Sequence, residues 1–171
     1  MKVIDSIDLL KREGSKLAKP IPVEGLPSME FDCYFAEESV SPQEISAIIP
    51  NCPQDLLEFW NSTRNARLFT DKVYGQWGLE ILEPKLSVQI TEQFQQCRKR
   101  DFLIGDLIIG RFLGDSDLLL IRSDKNTSDY GTVYVVLPID PRSDWYLVSN
   151  SFAGFLSNYI KSCGNKYWVS T

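Results

Sequence analysis

The chain has 171 residues, is 43% hydrophobic and 24% charged, and carries a net charge of −5 with no histidine. Those values fit one globular domain with a real core, and no apolar run approaches the ~20 residues of a membrane span. The absence of histidine excludes Ser-His-Asp and Cys-His catalysis and histidine-bearing zinc sites, so no enzymatic activity is expected.

The opening residues, MKVIDSIDLLKREGSK, mix acids with bases and lack a long apolar stretch. They do not read as a signal peptide, and a cytoplasmic location is expected. Ile4, Ile7, Leu10 and Leu17 predict a short amphipathic helix, which Pro20, Pro22, Gly25 and Pro27 then break. Alternation in MEFDCYF predicts a strand or extended segment. Ser41-Pro42-Gln43-Glu44 predicts a capping box with proline at the first helical position. Ile45, Ile48 and Ile49 supply that helix's apolar face, and Pro50 stops it. Pro53 opens a second helix, with Leu56, Phe59 and Trp60 at i, i+3 and i+4.

Two short strands follow in RLFTDKVYGQWGLEIL, with a bend near Gly75 and Gly78. Ile90, Phe94 and Cys97 predict a third helix ending at Arg98-Lys99-Arg100. Cations there complement the helix dipole, and no basic stripe accompanies them, so no nucleic-acid partner is expected. Residues 106–112, 117–122 and 132–137 are apolar runs of strand length separated by turns. Leu118 and Leu120 share one face of their strand, and Leu119 and Ile121 the other, which predicts a central strand. Phe152, Phe155, Leu156, Tyr159 and Ile160 form a helical stripe, with Ser149 as its N-cap and Gly164 as its stop. The aromatic pair in the tail NKYWVST is expected to pack back.

Four motifs invite a chemical reading. Gly114-Asp115-Ser116-Asp117 resembles a hydrolase signature, but no histidine exists to deprotonate Ser116. It reads instead as a turn, with Gly114 free to take a positive φ and Asp115 bonding the turn backbone. Asp124, Asn126 and Ser128 fall at calcium-loop spacing, but Asp129 and Val135 replace the required Gly and Glu, so a hairpin loop fits better. None of the four cysteines forms a C-x-x-C pair. Cys52, at a helix start, is a redox candidate, though a buried thiol is favoured. Trp77, between two glycines, is the tryptophan expected to be exposed and to serve as a binding hot spot. No cofactor and no metal site is expected.

The charge is unevenly spread. Residues 20–63 hold eight acids and no base. Such a segment reads as an interaction surface or as a solvated face.

The order of the motifs resembles the SUKH superfamily, which includes Knr-type cell-wall regulators, Syd and many bacterial immunity proteins. CPQDLLEFWNSTRNA is similar to the family's proline-led aromatic helix, with Pro53 and Trp60 in place. IGRFLGDSDLLLI resembles its strand, Gly-Asp turn and strand (Gly114, Asp115). YGTVYVV resembles its Gly-x-Val strand (Gly131), and DWYLVSNSFAGFLSNYI its closing helix (Phe152, Leu156). Cys52 stands where leucine is usual, and Asn65-Ala66 replaces Asn-Gly.

The resemblance spans about residues 41–162. It implies an α+β fold with a single mixed, mainly antiparallel sheet packed with helices. Residues 41–171 then form the SUKH-like domain, and residues 1–40 an extension packed on it. It further implies a protein-binding domain, most simply an immunity protein that neutralises a basic toxin such as a nuclease; the alternative is a Knr- or Syd-type regulator that binds a host protein. On that reading Glu37, Glu38, Glu44, Asp55 and Glu58 line the surface that meets the basic partner, and no membrane is involved.

Overall fold

The chain opens with helix α1 (Val3–Leu17), followed by a two-stranded ribbon of β1 (Ile21–Val23) and β2 (Leu26–Met29). Strand β3 (Phe31–Phe35) leads to helices α2 (Pro42–Ile48) and α3 (Gln54–Ser62). Strands β4 (Ala66–Asp71) and β5 (Leu79–Ile81) precede helix α4 (Pro84–Cys97). Then come β6 (Asp106–Phe112), β7 (Leu118–Arg122), β8 (Val133–Val136), β9 (Tyr146–Ser149) and helix α5 (Phe152–Lys161). The computed structural model describes residues 1–169; positions 170 and 171 of the expected domain lie outside them.

Strands β3 to β9 form one sheet in sequence order, and every neighbour is antiparallel. The α+β class stands, with the sheet wholly antiparallel rather than mixed, and with strand β9 and the small β1–β2 ribbon as additions to the expected elements. Helices α1, α3 and α5 cover one face of the sheet, where Phe59, Trp60, Phe152, Phe155, Leu156 and Tyr159 are buried with Leu119, Ile121, Val133 and Val135. Each buried ring of this kind contributes about 1.5–3 kcal/mol by leaving water. Helix α4 alone covers part of the other face, over Ile108, Leu118, Leu120 and Val136. Strand β7 is central and apolar on both faces, as its sequence predicts.

Several local expectations need correction. The buried stripe of α1 is Val3, Ser6, Ile7, Leu10 and Gly14, while Ile4 faces solvent. Gly14 allows that approach: a Cβ there would sit 2.8 Å from the Cβ and Sγ of Cys33. In α2 only half of the capping box forms. The Glu44 N–H donates to Ser41 Oγ at 3.2 Å, but the Glu44 carboxylate turns to Lys85 Nζ at 3.7 Å. Cys97 is exposed, while Ile90 and Phe94 pack half-buried against the cluster around Ile108 as expected and the fully buried line of α4 is Pro84, Ser87 and Thr91. The N-cap of α5 is Ser151, whose Oγ accepts the Gly154 N–H at 3.0 Å; Ser149 lies in β9. Gly164 does stop the helix, with φ +79 and its N–H on the Tyr159 carbonyl.

The far end of the sheet is held by a buried ion network. Asp106 is fully enclosed. Its Oδ1 accepts Arg122 Nη1 at 2.8 Å, and its Oδ2 accepts Arg142 Nη1 at 2.6 Å and the Leu103 N–H at 2.7 Å. Arg122 also donates to Asp129 at 2.9 Å. At the end of α4, Arg98 donates to Asp101 at 2.7 and 3.2 Å, and the Arg142 N–H joins it at 3.1 Å. The Arg98 guanidinium, seconded by that N–H, holds the Asp101 carboxyl below the usual carboxylate range. A depressed folded-state value means stability that is present above the unfolded value, near 3.9, and lost as pH falls through the folded one. Asp101→Asn is therefore expected to flatten the acid limb of the stability–pH curve below about pH 4 while leaving its shape at neutral pH unchanged, as followed by urea unfolding at stepped pH.

Three of the four chemical readings resolve locally. Gly114 has φ +88 and turns β6 into β7. Asp115 accepts the Asp117 N–H at 2.9 Å, and Lys166 from the C-terminal tail pairs with Asp115 and, at 2.8 Å, with Asp117. An ammonium group thus occupies the place between the two carboxylates, and Ser116 is exposed. The loop after β7 is an Asx turn, with Asp124 accepting the Asn126 N–H at 3.0 Å. Burial pushes the Cys52 thiol up to about 12, with Asp55 adding to the shift, so the thiolate needed for redox chemistry is scarce at neutral pH. In the tail, Trp168 packs on Phe112 and Tyr167 Oη donates to the Val148 carbonyl at 3.0 Å. Among the described residues no helix is long and apolar enough to cross a membrane.

Candidate partner-binding face

Helix α4 leaves part of its side of the sheet open. The uncovered part lies over β3, β4 and β5, where a cleft of about 640 Å³ runs up to the N-terminal turn of α4 at Glu83 and Leu86. Strand alternation puts polar side chains there. On β4, Ala66 and Leu68 point into the core and Arg67 points out; on β5, Leu79 and Ile81 point in and Glu80 out. Phe69 breaks the alternation. Its φ of +50, in the left-handed region, turns it into the core beside Leu68, and its N–H donates to Cys33 Sγ at 3.3 Å. The β3 partner carries a matching irregularity between Asp32 and Tyr34, and both side chains line the cleft.

Register places three of these residues and Arg111 of β6 in one row across the sheet. Tyr34 is opposite Arg67, Arg67 opposite Glu80, and Glu80 opposite Arg111. Glu80 lies low between the two arginines with 17% of its side chain exposed. It accepts Arg67 at 3.5 Å and is paired with Arg111 on its other side. Arg67 and Arg111 remain 56% and 50% exposed, and Tyr34 59%. None of the four was among the expected site residues. The signal was present, since each is a polar or aromatic residue between apolar neighbours in a short strand, but nothing in the sequence says which outward positions escape a helix.

The expected acidic surface is only partly there. Glu37 and Glu38 are exposed on the chain between β3 and α2, and Arg64 links Glu38 to Glu83 in the cleft lining, which makes this stretch the acidic rim. Glu44 and Glu58 are half-buried on α2 and α3. Asp55 belongs to the fold: one oxygen accepts its neighbour Leu56 N–H at 3.0 Å, and the other accepts the Ala153 N–H in the first turn of α5 at 2.8 Å. Bases from later in the chain fold back onto the base-free segment. Arg64 sits between Glu38 and Glu83 at 3.3 and 3.5 Å, Lys85 meets Glu44, and Lys72 meets Glu30 at 3.3 Å. Trp77 is not a free ring either. It is half-buried against the core, with Nε1 donating to the Gly164 carbonyl at 3.2 Å.

The family-type residues take structural positions. Pro53 is buried at the N-cap of α3, and Trp60 is fully buried with Nε1 donating to the Leu82 carbonyl at 2.8 Å. Gly131 has φ +84 and donates its N–H to the Arg122 carbonyl at 2.8 Å, while Phe152 and Leu156 are core. With this meander and its buried anchors described, the sequence profile of the SMI1 / KNR4 family (SUKH-1) matches residues 50–158. The chain belongs to this family. The match falls within the segment whose motifs resemble the SUKH superfamily, and it takes in α3, the central strands and most of α5. A comparison with curated proteins returns no match. Membership is consistent with an immunity or Knr-type protein and with a role in protein–protein interaction.

Proposed function

We propose that this SUKH-1 protein is a non-catalytic, cytoplasmic binding domain of the immunity type, which neutralises a protein toxin by seating it on the open sheet face. The observation that supports this most is the uncovered cleft over β3–β5, with exposed Tyr34 and Arg67 in its lining, Arg111 next in their row, and Glu37 and Glu38 exposed on the chain that follows β3. Tyrosine and arginine are the residues that most often dominate binding energy at protein interfaces. The partner is a basic toxin of the nuclease kind, whose positive surface is steered by the acidic rim. On this reading residues 1–40 are an N-terminal addition to the family domain that supplies α1 to the shared core and β3 to the edge of its sheet.

The test is co-expression with a toxin encoded beside the gene, followed by association kinetics. Protection from the toxin and binding in vitro are expected. Reversing both rim charges (Glu37→Lys with Glu38→Lys) is expected to slow association by roughly tenfold at low ionic strength, and to shrink its salt dependence. Unchanged on-rate and salt dependence would remove the steering role. A partner that proves to be a host protein with no toxic activity would move the chain to the Knr- or Syd-type regulators.

A further inference from the structure

We infer that the row Tyr34–Arg67–Glu80–Arg111 is the anchor of the face, and that it takes paired carboxylates on an extended segment of the partner. This rests on the reading of the open face as the partner surface, but it adds a chemistry opposite to the one the acidic rim implies. Two guanidiniums bring about ten N–H donors, and Glu80 is the acceptor they share. That single carboxylate sits low on the sheet while both arginine side chains stay half-exposed. Glu80 therefore orients the two forks and leaves most of their outward donors free for a ligand.

The spacing suits a carboxylate pair. Arg67 and Arg111 are on strands one apart from each other, across β5, so their backbones are separated by about 10 Å. Acidic residues at i and i+2 of an extended segment lie about 6.5–7 Å apart on one face. Two long arginine side chains converging on Glu80 cover the difference. Each Arg–carboxylate contact is charge-assisted and open to two parallel bonds. Tyr34, opposite Arg67 and exposed at the end of the row, offers a ring edge to the next side chain on the same face of the segment, two residues beyond the carboxylate on Arg67. A basic toxin that carries a small acidic strip inside its positive surface would meet both the rim and the row.

The probe is a blocked synthetic peptide alternating glutamate and valine, with a lysine–valine peptide of equal length as its counterpart. Binding to the full chain is followed by amide and arginine Nε–H NMR shifts at low salt. The glutamate peptide is expected to shift Tyr34, Glu80 and the side chains of Arg67 and Arg111. Arg67→Ala with Arg111→Ala is expected to weaken it by about tenfold or more. The charge-keeping pair Arg67→Lys with Arg111→Lys is expected to weaken it too, because the forks are lost. Lys99→Ala with Arg100→Ala, which removes equal charge elsewhere, is expected to leave it within about twofold.

Equal weakening by that control, equal binding of the lysine peptide, or no binding of the glutamate peptide would overturn the inference. Because the peptides need no toxin, loss of this result with toxin protection intact defeats the arginine row alone. Peptide binding without any toxin partner defeats the immunity reading alone.

Discussion

Asp106→Ala is expected to cost about 3–5 kcal/mol of unfolding free energy, measured by urea denaturation at pH 7. The side chain is wholly enclosed and is the common acceptor of Arg122, itself buried, and of Arg142. Removing it leaves two guanidiniums facing each other in a low-dielectric site, with Asp129 and the Ile104 carbonyl still on Arg122. The penalty is dominated by the stranded charges rather than by the bonds lost. It also frees the loop before β6, because the Leu103 N–H loses its acceptor. By contrast Lys16→Ala, which removes the exposed pair with Glu13, is expected to change stability by less than about 0.5 kcal/mol. Similar losses in the two variants would mean that the network contributes no more than a surface pair.

Gly114→Ala is the second large effect, at about 2–5 kcal/mol from left-handed strain and overpacking together. With φ at +88, any side chain is strained, and a Cβ would lie 1.8 Å from the carbonyl oxygen of Gln76. That oxygen is backbone, so it cannot swing aside, and the loop from β4 to β5 must shift. Gly25→Ala separates the two terms. Its φ of +71 imposes the same kind of strain, but nothing lies within 4 Å, so only about 1–2 kcal/mol is expected. Ser116→Ala, in the same turn as Gly114, is expected to be neutral within about 0.5 kcal/mol. A loss at Ser116 rivalling that at Gly114 would show that the turn depends on the hydroxyl rather than on the glycine.

Much of the scaffold was legible from periodicity and turn chemistry. The helices were legible because their apolar residues recur at helical spacing beside proline, serine and glycine signals. Strands β6 to β8 were legible because apolar runs of strand length alternate with Gly- and Asp-rich turns. The errors have a common form. Ile4, Cys97 and Ser149 are each of a residue type suited to the expected role, but packing chose another residue of the same stretch: Val3 points inward, Thr91 in the same helix donates to the Ser87 carbonyl and accepts the Ile108 N–H, and Ser151 caps α5. Choices among nearby positions of this kind depend on what lies opposite, which the local sequence does not contain.

The partner-binding face was harder to see for a different reason. The base-free stretch from 20 to 63 is a property of the chain in one dimension. In space, Arg64, Lys72 and Lys85 cover much of that charge, and Asp55 is spent on the start of α5. The row of Tyr34, Arg67, Glu80 and Arg111 joins positions up to 77 apart in sequence through strand register alone. By itself the sequence determined the five helices, most strands of the large sheet, the central place of β7 and the family, because hydrophobic period and turn residues are local quantities. Only the tertiary structure decided which charges stand free, since that follows from antiparallel register and from where α4 stops covering the sheet.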